Sequence, residues 1–236
     1  MSPIRLSLVI PCYNEAASLP ALLDRCASLV AHPGIEVVLV DNGSTDSTPA
    51  LLTELLAAQT NIRSVRVEQN QGYGYGILFG LRAARGELLG WTHADLQTDP
   101  SDVLRGLALF DSNARNVFVK GSRFGRPVGD VAFSVGMSAF ESLLLQRPLW
   151  EINAQPTLFH REFFATWQNP PLDFSLDLYA YYCAKRASFR VRRFSVRFDR
   201  RLHGSSHWNI DWSAKLKFIK RTLHFSLDLR RGLSRS

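Results

Sequence analysis

The sequence predicts an α/β fold: a mostly parallel sheet flanked by helices, in a single domain that closes with a C-terminal amphipathic helix. Three observations predict it. Short apolar runs alternate with stretches of about a dozen residues at helical spacing, the pattern of strand–helix–strand units. Polar turn clusters close successive strands. And 236 residues, 46% hydrophobic and 21% charged, can bury a full core with neither disulfides nor a structural metal.

The elements follow in order. Leu6–Ile10 is a short apolar run, hence a buried strand. From Ala16 to Leu29, Leu19, Leu22, Leu23, Cys26 and Leu29 recur at helical spacing. Glu36–Val40 is a second buried strand and ends in a turn cluster from Asp41 to Ser44. Ser47-Thr48-Pro49 opens a helix to about Ala58, with proline in the first turn where no donor is lost. Ile62–Glu68 is a third strand, Gly74–Arg85 a helix and Leu88–Thr92 a fourth strand. Asp99-Pro100 starts a helix to Phe110, and Val117–Gly121 is a fifth strand. The second half is less regular. It reads as a helix at Val131–Leu145, a loop leading to a short strand at Asn153–His160 and a helix at Phe174–Lys185. A strand at Phe189–Phe198, a polar loop at Arg201–Asn209 and a last helix from Trp212 to Leu229 complete it.

Ligands of open parallel sheets bind outside the carboxyl ends of the strands. Four turn segments therefore share one rim: Pro11–Glu15, Asp41–Asp46, His93–Asp99 and Ser122–Arg126. In the first, Tyr13 and Glu15 can hold a nucleobase by packing and hydrogen bonding. In the second, Asp41 can accept a base or ribose N–H or O–H, while Asp46 and Ser47 read as helix caps. In the third, alternate residues of an extended segment face one way, so His93, Asp95 and Gln97 converge and can hold a divalent ion bridging two phosphates. Asp99, before Pro100, reads as a helix cap. Gly72, Gly74, Gly76 and Gly80 do not form a dinucleotide fingerprint, and Gly76 and Gly80 read as close packing of a helix on the sheet.

Charge is uneven. Residues 185–236 carry 15 Lys and Arg against 3 Asp and Glu; the first 184 carry 13 against 18. One end is thus suited to an anionic partner. Nucleic acid is not that partner: no zinc-finger or RNA-binding motif accompanies the charge. Cys12, Cys26 and Cys183 have no C-x-x-C spacing and read as free thiols in a reducing, cytoplasmic setting. The first apolar run is cut by Pro11 and Asn14, and no membrane span is expected.

As an ordered set, Val9 to Glu15, Val40 to Asp46, Ala94 to Pro100, Gly121-Ser122-Arg123 and the R-x-x-G-x-S of Arg201, Gly204 and Ser206 resemble the inverting family 2 glycosyltransferases of the GT-A fold. Within that family they resemble the dolichol-phosphate mannose synthase and polyprenyl-phosphate glycosyltransferase branch. The resemblance implies a glycosyltransferase domain over 1–208, with a nucleotide-sugar half (1–126) and an acceptor half (127–208), before a basic amphipathic helix at 209–236. It implies that Pro11, Tyr13, Glu15 and Asp41 hold the nucleotide of a nucleotide-sugar donor. It also implies that the Asp95 segment is a metal–diphosphate site for Mn²⁺ or Mg²⁺, that Arg123 and Arg201 hold phosphates, and that Asp177 is a late acidic residue. Two positions depart from the family pattern. Asn42 replaces an aspartate. His93-Ala94-Asp95 replaces Asp-x-Asp, which weakens the metal site or turns it toward Mn²⁺.

Departure of a nucleoside diphosphate needs electrostatic stabilisation, which a metal at Asp95 and Arg123 supply. A saccharide hydroxyl acceptor needs a base, for which Asp177 is the candidate. A polyprenyl phosphate is already anionic at neutral pH and needs cations instead, which favours the lipid acceptor. A non-catalytic nucleotide-sugar-binding protein is the reading that His93 suggests. A processive polysaccharide synthase is excluded, since Q-x-x-R-W is absent. His203 and His207 sit four apart in a loop that can close over phosphates rather than in a second metal site. On the last helix Lys217, Lys220, Arg221, His224 and Arg231 share a face. Leu216, Ile219, Leu223 and Leu227 form one apolar stripe, and Phe218, Phe225 and Leu229 another. One stripe on the domain and one in a bilayer would make a peripheral contact with the inner face of a membrane.

Overall fold

The computed structural model describes residues 3–111, 115–199, 201 and 212–233. Its strands are β1 (Leu6–Cys12), β2 (Ile35–Asn42), β3 (Ile62–Val67), β4 (Leu88–Trp91), β5 (Val117–Phe124), β6 (Thr157–His160) and β7 (Arg190–Arg197). They form one seven-stranded sheet in the order β3-β2-β1-β4-β6-β5-β7. β1 pairs in parallel with β2 and β4, and β2 with β3. β6 runs antiparallel between β4 and β5, and β7 is parallel to β5. The carboxyl ends of β1, β2, β4 and β5 therefore share one rim, as the strand–helix alternation predicts.

The helices are α1 (Leu19–Val30), α2 (Thr48–Leu56), α3 (Tyr73–Ala83), α4 (Val103–Leu107), α5 (Val128–Leu145), α6 (Arg161–Ala165), α7 (Leu176–Arg186) and α8 (Trp212–Leu233). A 3₁₀ turn, Pro100–Asp102, precedes α4. Successive strand residues face opposite sides of the sheet, and two apolar clusters result. Leu8, Ile10, Val37 and Leu39 pack with α1, α2 and α4 on one side. Val9, Val38, Val40, Trp91, Phe118 and Phe159 pack with α3, α6 and α7 on the other, with Phe225 and Leu229 of α8 laid against them.

The expected caps form at Asp46, which accepts from Thr48 N at 2.9 Å, and Asp99, which accepts from Ser101 N at 2.8 Å. Ser47 precedes α2 but makes no side-chain cap bond. A Cβ on Gly80 would lie 2.4 Å from Val9 Cγ1, so this glycine does let α3 lie flat on β1 and β2. Gly74 serves a different approach: a Cβ there would meet the carbonyls of Pro171 and Asp173, so it brings the 171–174 segment onto the start of α3.

Two expectations are corrected. The fifth strand does not stop at Gly121. Pairing with β7 carries it to Phe124, so Arg123 sits in the strand, opposite Val196, and not in a turn. And α5, not the first apolar run, is the longest apolar stretch. It is 18 residues long, and its length and hydropathy suffice to cross a membrane. Its glycines and serines break the apolar run in the sequence, which hides it.

Candidate active site

A cleft of about 830 Å³ opens at the shared rim. Pro11, Tyr13, Glu15, His93, Asp95 and Arg201 line it, with Asn14, Asn42, Asn70, Tyr73 and Phe174. Asn14 takes a left-handed φ of 55°, which asparagine tolerates. Its Oδ1 accepts from Thr45 N at 2.8 Å, and its N–H donates to Ser44 Oγ at 3.0 Å, lacing the first rim segment to the second. Glu15 N–H donates to Thr48 Oγ1 at 2.9 Å. Burial raises the Glu15 carboxyl above its ordinary range, with Ser18 and Arg201 opposing. Tyr13 is 42% exposed, a free ring face at the mouth.

Asp41 lies behind this lining and is buried. Its Oδ1 accepts from Ser44 N at 3.0 Å, and Arg66 Nε stands 3.6 Å from Oδ2. That oxygen is buried with no hydrogen-bond partner among the described residues, an acceptor left for a ligand donor. Asn42 has a structural reason to be an amide: its Nδ2 donates to Gly72 O at 3.0 Å, which a carboxylate could not do.

The centre of the site is Asp95. Its Oδ1 accepts from Gln97 N at 3.1 Å, and its Oδ2 accepts from Arg201 Nη2 at 2.8 Å. The two residues are 106 apart in sequence. Arg201 Nε is buried and has no hydrogen-bond partner among the described residues, a cationic donor beside the carboxylate. The segment before Arg201 is clamped to the same turn, with Asp199 N donating to Gln97 O at 2.8 Å.

His93, Asp95 and Gln97 do not converge as an extended segment would make them. Leu96 takes a φ of 57° and turns the chain. Gln97 Nε2 donates away from the cleft, to Asp199 O at 3.3 Å. The His93 ring stacks on Tyr73, centroids 5.4 Å apart, and Tyr73 stacks on Phe174 at 4.4 Å. No group of three His, Cys, Asp or Glu among the described residues is placed to hold a metal ion. This donor set, one carboxylate with an imidazole nearby, fits an ion whose other ligands come with a diphosphate, as Mg²⁺ often binds, rather than an all-protein cage.

Two further sequence candidates stand outside the cleft lining. Arg123 Nε donates to Glu151 Oε2 at 2.9 Å, and Arg126 bonds the other Glu151 oxygen. Burial opposes ionisation of Glu151, but the two guanidinium groups hold its carboxyl below the ordinary range. Asp177 is buried under the cleft and accepts from Trp91 Nε1 at 3.3 Å. Burial raises its carboxyl, with the attraction of Lys120 and His93 opposing. Lys120 is fully buried, its Nζ donates to Thr157 Oγ1 at 3.0 Å, and burial lowers its ammonium to about 7. Sequence reading missed Lys120, Glu151, Tyr73 and Phe174. Tyr73 had a signal in its glycine-flanked setting; Glu151 had none. Beyond Arg201, the R-x-x-G-x-S element with Gly204 and Ser206, and His203 and His207, lie outside the described residues.

The rim of this doubly covered sheet thus gathers aromatic faces, a buried carboxylate oxygen without a hydrogen-bond partner among the described residues and an aspartate–arginine pair. The family model described as "Glycosyl transferase family 2" matches residues 7–177. The chain belongs to that family. Among curated relatives, an undecaprenyl-phosphate 4-deoxy-4-formamido-L-arabinose transferase of Yersinia pestis is 38% identical over 108 residues, covering 43% of this chain and 32% of the relative. The Klebsiella pneumoniae protein of the same name is 36% identical over 110 residues, covering 45% and 34%. The match thus spans about a third of those relatives' length. Among solved structures, a mannosyltransferase from Pyrobaculum calidifontis in complex with GDP-Man and Mn²⁺ superposes with a TM-score of 0.64 at 20% identity, over 86% of this chain and 59% of that one. Glucosyl-3-phosphoglycerate synthase from Mycobacterium tuberculosis, with Mn²⁺, UDP and glucosyl-3-phosphoglycerate, gives 0.69 at 20% identity, over 97% and 80%. These two likenesses establish the GT-A fold.

Proposed function

We propose that the chain is an inverting glycosyltransferase that moves a sugar from a nucleotide-sugar donor to the phosphate of a polyprenyl-phosphate carrier. One observation carries the reading: the Asp95–Arg201 pair on the cleft wall, with Arg201 Nε buried and without a hydrogen-bond partner among the described residues. A diphosphate oxygen satisfies that donor. Pro11, Tyr13 and Glu15, which line the cleft, would hold the nucleoside, and Asp41 Oδ2, ion-paired with Arg66 but without a hydrogen-bond partner among the described residues, would accept from it. Asp95 would hold a divalent cation, Mn²⁺ or Mg²⁺, brought by the diphosphate; when bound it withdraws charge from the leaving group. An imidazole at His93 favours Mn²⁺.

An acceptor phosphate oxygen attacks the anomeric carbon from the face opposite the diphosphate. The new C–O bond forms as the bond to the diphosphate breaks, and Arg201 stabilises the departing charge. The placement of Asp177 supports an anionic acceptor. At 2% exposure, under Trp91 and opposite Lys120, it is poorly placed to take a proton from a sugar hydroxyl. A phosphate nucleophile has its second pKa near ~6 and needs no base. The names of the relatives, which specify undecaprenyl phosphate, support the same acceptor. Such an acceptor puts the protein at the cytoplasmic face of a membrane, where the basic α8 makes peripheral contact.

Thermal-shift screening of UDP-, GDP- and dTDP-sugars with Mn²⁺ and Mg²⁺ identifies the donor. Transfer to a short polyprenyl phosphate, read by mass spectrometry, then tests the reaction. Transfer to a saccharide hydroxyl instead, or donor binding without any transfer, replaces this reading with a hydroxyl-directed enzyme or a non-catalytic binding protein.

A further inference from the structure

α5 is built inside out. Its buried positions include Ser138 and Glu141, and Glu141 Oε1 accepts from Ser226 Oγ of α8 at 2.9 Å. Its large apolar side chains are exposed instead: Val128 at 85%, Val131 and Val135 at 37%, Phe140 at 44% and Leu143 at 80%, with Asp130 exposed near the start of the helix. At about 100° per residue these five occupy one contiguous half of the helix circumference. Asp130 and Glu141, the two charged residues of α5, lie on the other half. A contiguous apolar surface of this kind is what soluble surfaces avoid.

We propose that this exposed flank of α5 is a bilayer-contact surface, seated in the interfacial region of a membrane with anionic headgroups. Three observations select a lipid surface. First, Arg147 follows the helix at its C-terminal end, and on the neighbouring α8 the exposed Leu227 is flanked by Lys220, His224, Arg230 and Arg231 at helical spacing, a basic border around an apolar face. Second, Phe124 and Trp150, just before and just after α5 in the chain, are about half exposed, the kind of aromatic residue that settles at headgroup level. Third, α5 begins four residues beyond Phe124, the carboxyl end of β5, so it starts from the same rim of the sheet that carries the cleft the proposed lipid phosphate must enter. This last step rests on the acceptor reading above. Since the inner half of α5 is bonded to α8, the helix lies on the bilayer and does not cross it.

The test is flotation with vesicles of phosphatidylcholine and phosphatidylglycerol that contain no polyprenyl phosphate, so that it reads the surface and not the acceptor site. The wild type floats with these vesicles at low salt, less at high salt and less with phosphatidylcholine alone. The double variant Val135→Glu/Leu143→Glu, altered at exposed positions remote from the cleft, keeps its melting temperature and nucleotide binding and loses about tenfold or more in partitioning. Amide exchange across 128–143 slows on vesicles in the wild type only. A wild type that stays in the aqueous fraction overturns the proposal. So does equal flotation of the two proteins, or a dimer by sedimentation that the double variant breaks while vesicle binding persists. Flotation without transfer to polyprenyl phosphate in detergent sinks the acceptor reading and leaves this surface standing; transfer without flotation does the reverse.

Discussion

Asp95 shares its carboxylate between a backbone N–H and Arg201, so any cation that enters competes with a guanidinium already in place. His93→Asp adds a second carboxylate at the cleft. It is expected to tighten Mn²⁺ binding in the presence of UDP by about tenfold, since each added anionic ligand offsets more of the ion's charge; titration calorimetry reads this. Arg201→Lys keeps the charge but loses the planar fork, and is expected to weaken nucleoside diphosphate binding about tenfold in the same experiment. Lys120 and Asp177 give a second test, since both are buried and attract each other without touching. Lys120→Met removes that attraction and the bond to Thr157 and is expected to lower the urea midpoint; adding Asp177→Asn recovers part of the loss. The residues that sequence revealed, such as Tyr13, Glu15 and Asp95, belong to short motifs at strand ends. Arg201's partner was not legible, because the pair joins segments 106 residues apart. Nor was Lys120, because nothing in the sequence of the strand Val117–Gly121 shows that its lysine is buried.

At the scale of elements, α3 and α5 illustrate opposite degrees of legibility. The four-residue spacing of Gly76 and Gly80 announced close packing, and the packing is there. Gly80→Ala would press a methyl onto Val9 and Val40 and is expected to cost about 1–3 kcal/mol of stability, measured by urea unfolding. α5 was found as a helix, but its orientation was not, because periodicity reveals an apolar face without saying whether protein or solvent meets it. Its inner face carries Glu141, whose carboxyl burial raises to about 7, with the Ser226 bond opposing. The folded state thus binds the proton more tightly than the unfolded chain, where the value is near the ordinary 4.5. Stability from this group is fully present below about 4.5 and is lost as pH rises through about 7. Glu141→Gln is therefore expected to be near neutral at pH 4.5 and stabilising by about 2–3 kcal/mol at pH 8, by urea unfolding at the two pH values.

At the scale of the molecule, the expected division into a nucleotide-sugar half (1–126) and an acceptor half (127–208) is not a division of folding. The alternation of strands and helices made the parallel core legible as far as β5. Strand order beyond it was not, because β6 inserts between β4 and β5 through pairings over long separations in the chain. That insertion makes the halves interdependent. Without β6, the carboxyl-half strand that completes the sheet, β4 and β5 would each present an unpaired edge, and Trp91 and Phe118 would lose the Phe159 ring that both contact. Both apolar clusters also draw on strands from the two halves, with Val119 and Leu158 in one and Trp91 and Phe159 in the other. A chain cut after residue 126 is therefore expected to remain unfolded by far-UV circular dichroism. The whole chain is expected to lose its sheet in a single transition, with tryptophan fluorescence and far-UV dichroism tracing the same urea midpoint. Two separated midpoints would mean that the sheet tolerates the loss of its antiparallel strand, and that the halves are domains after all.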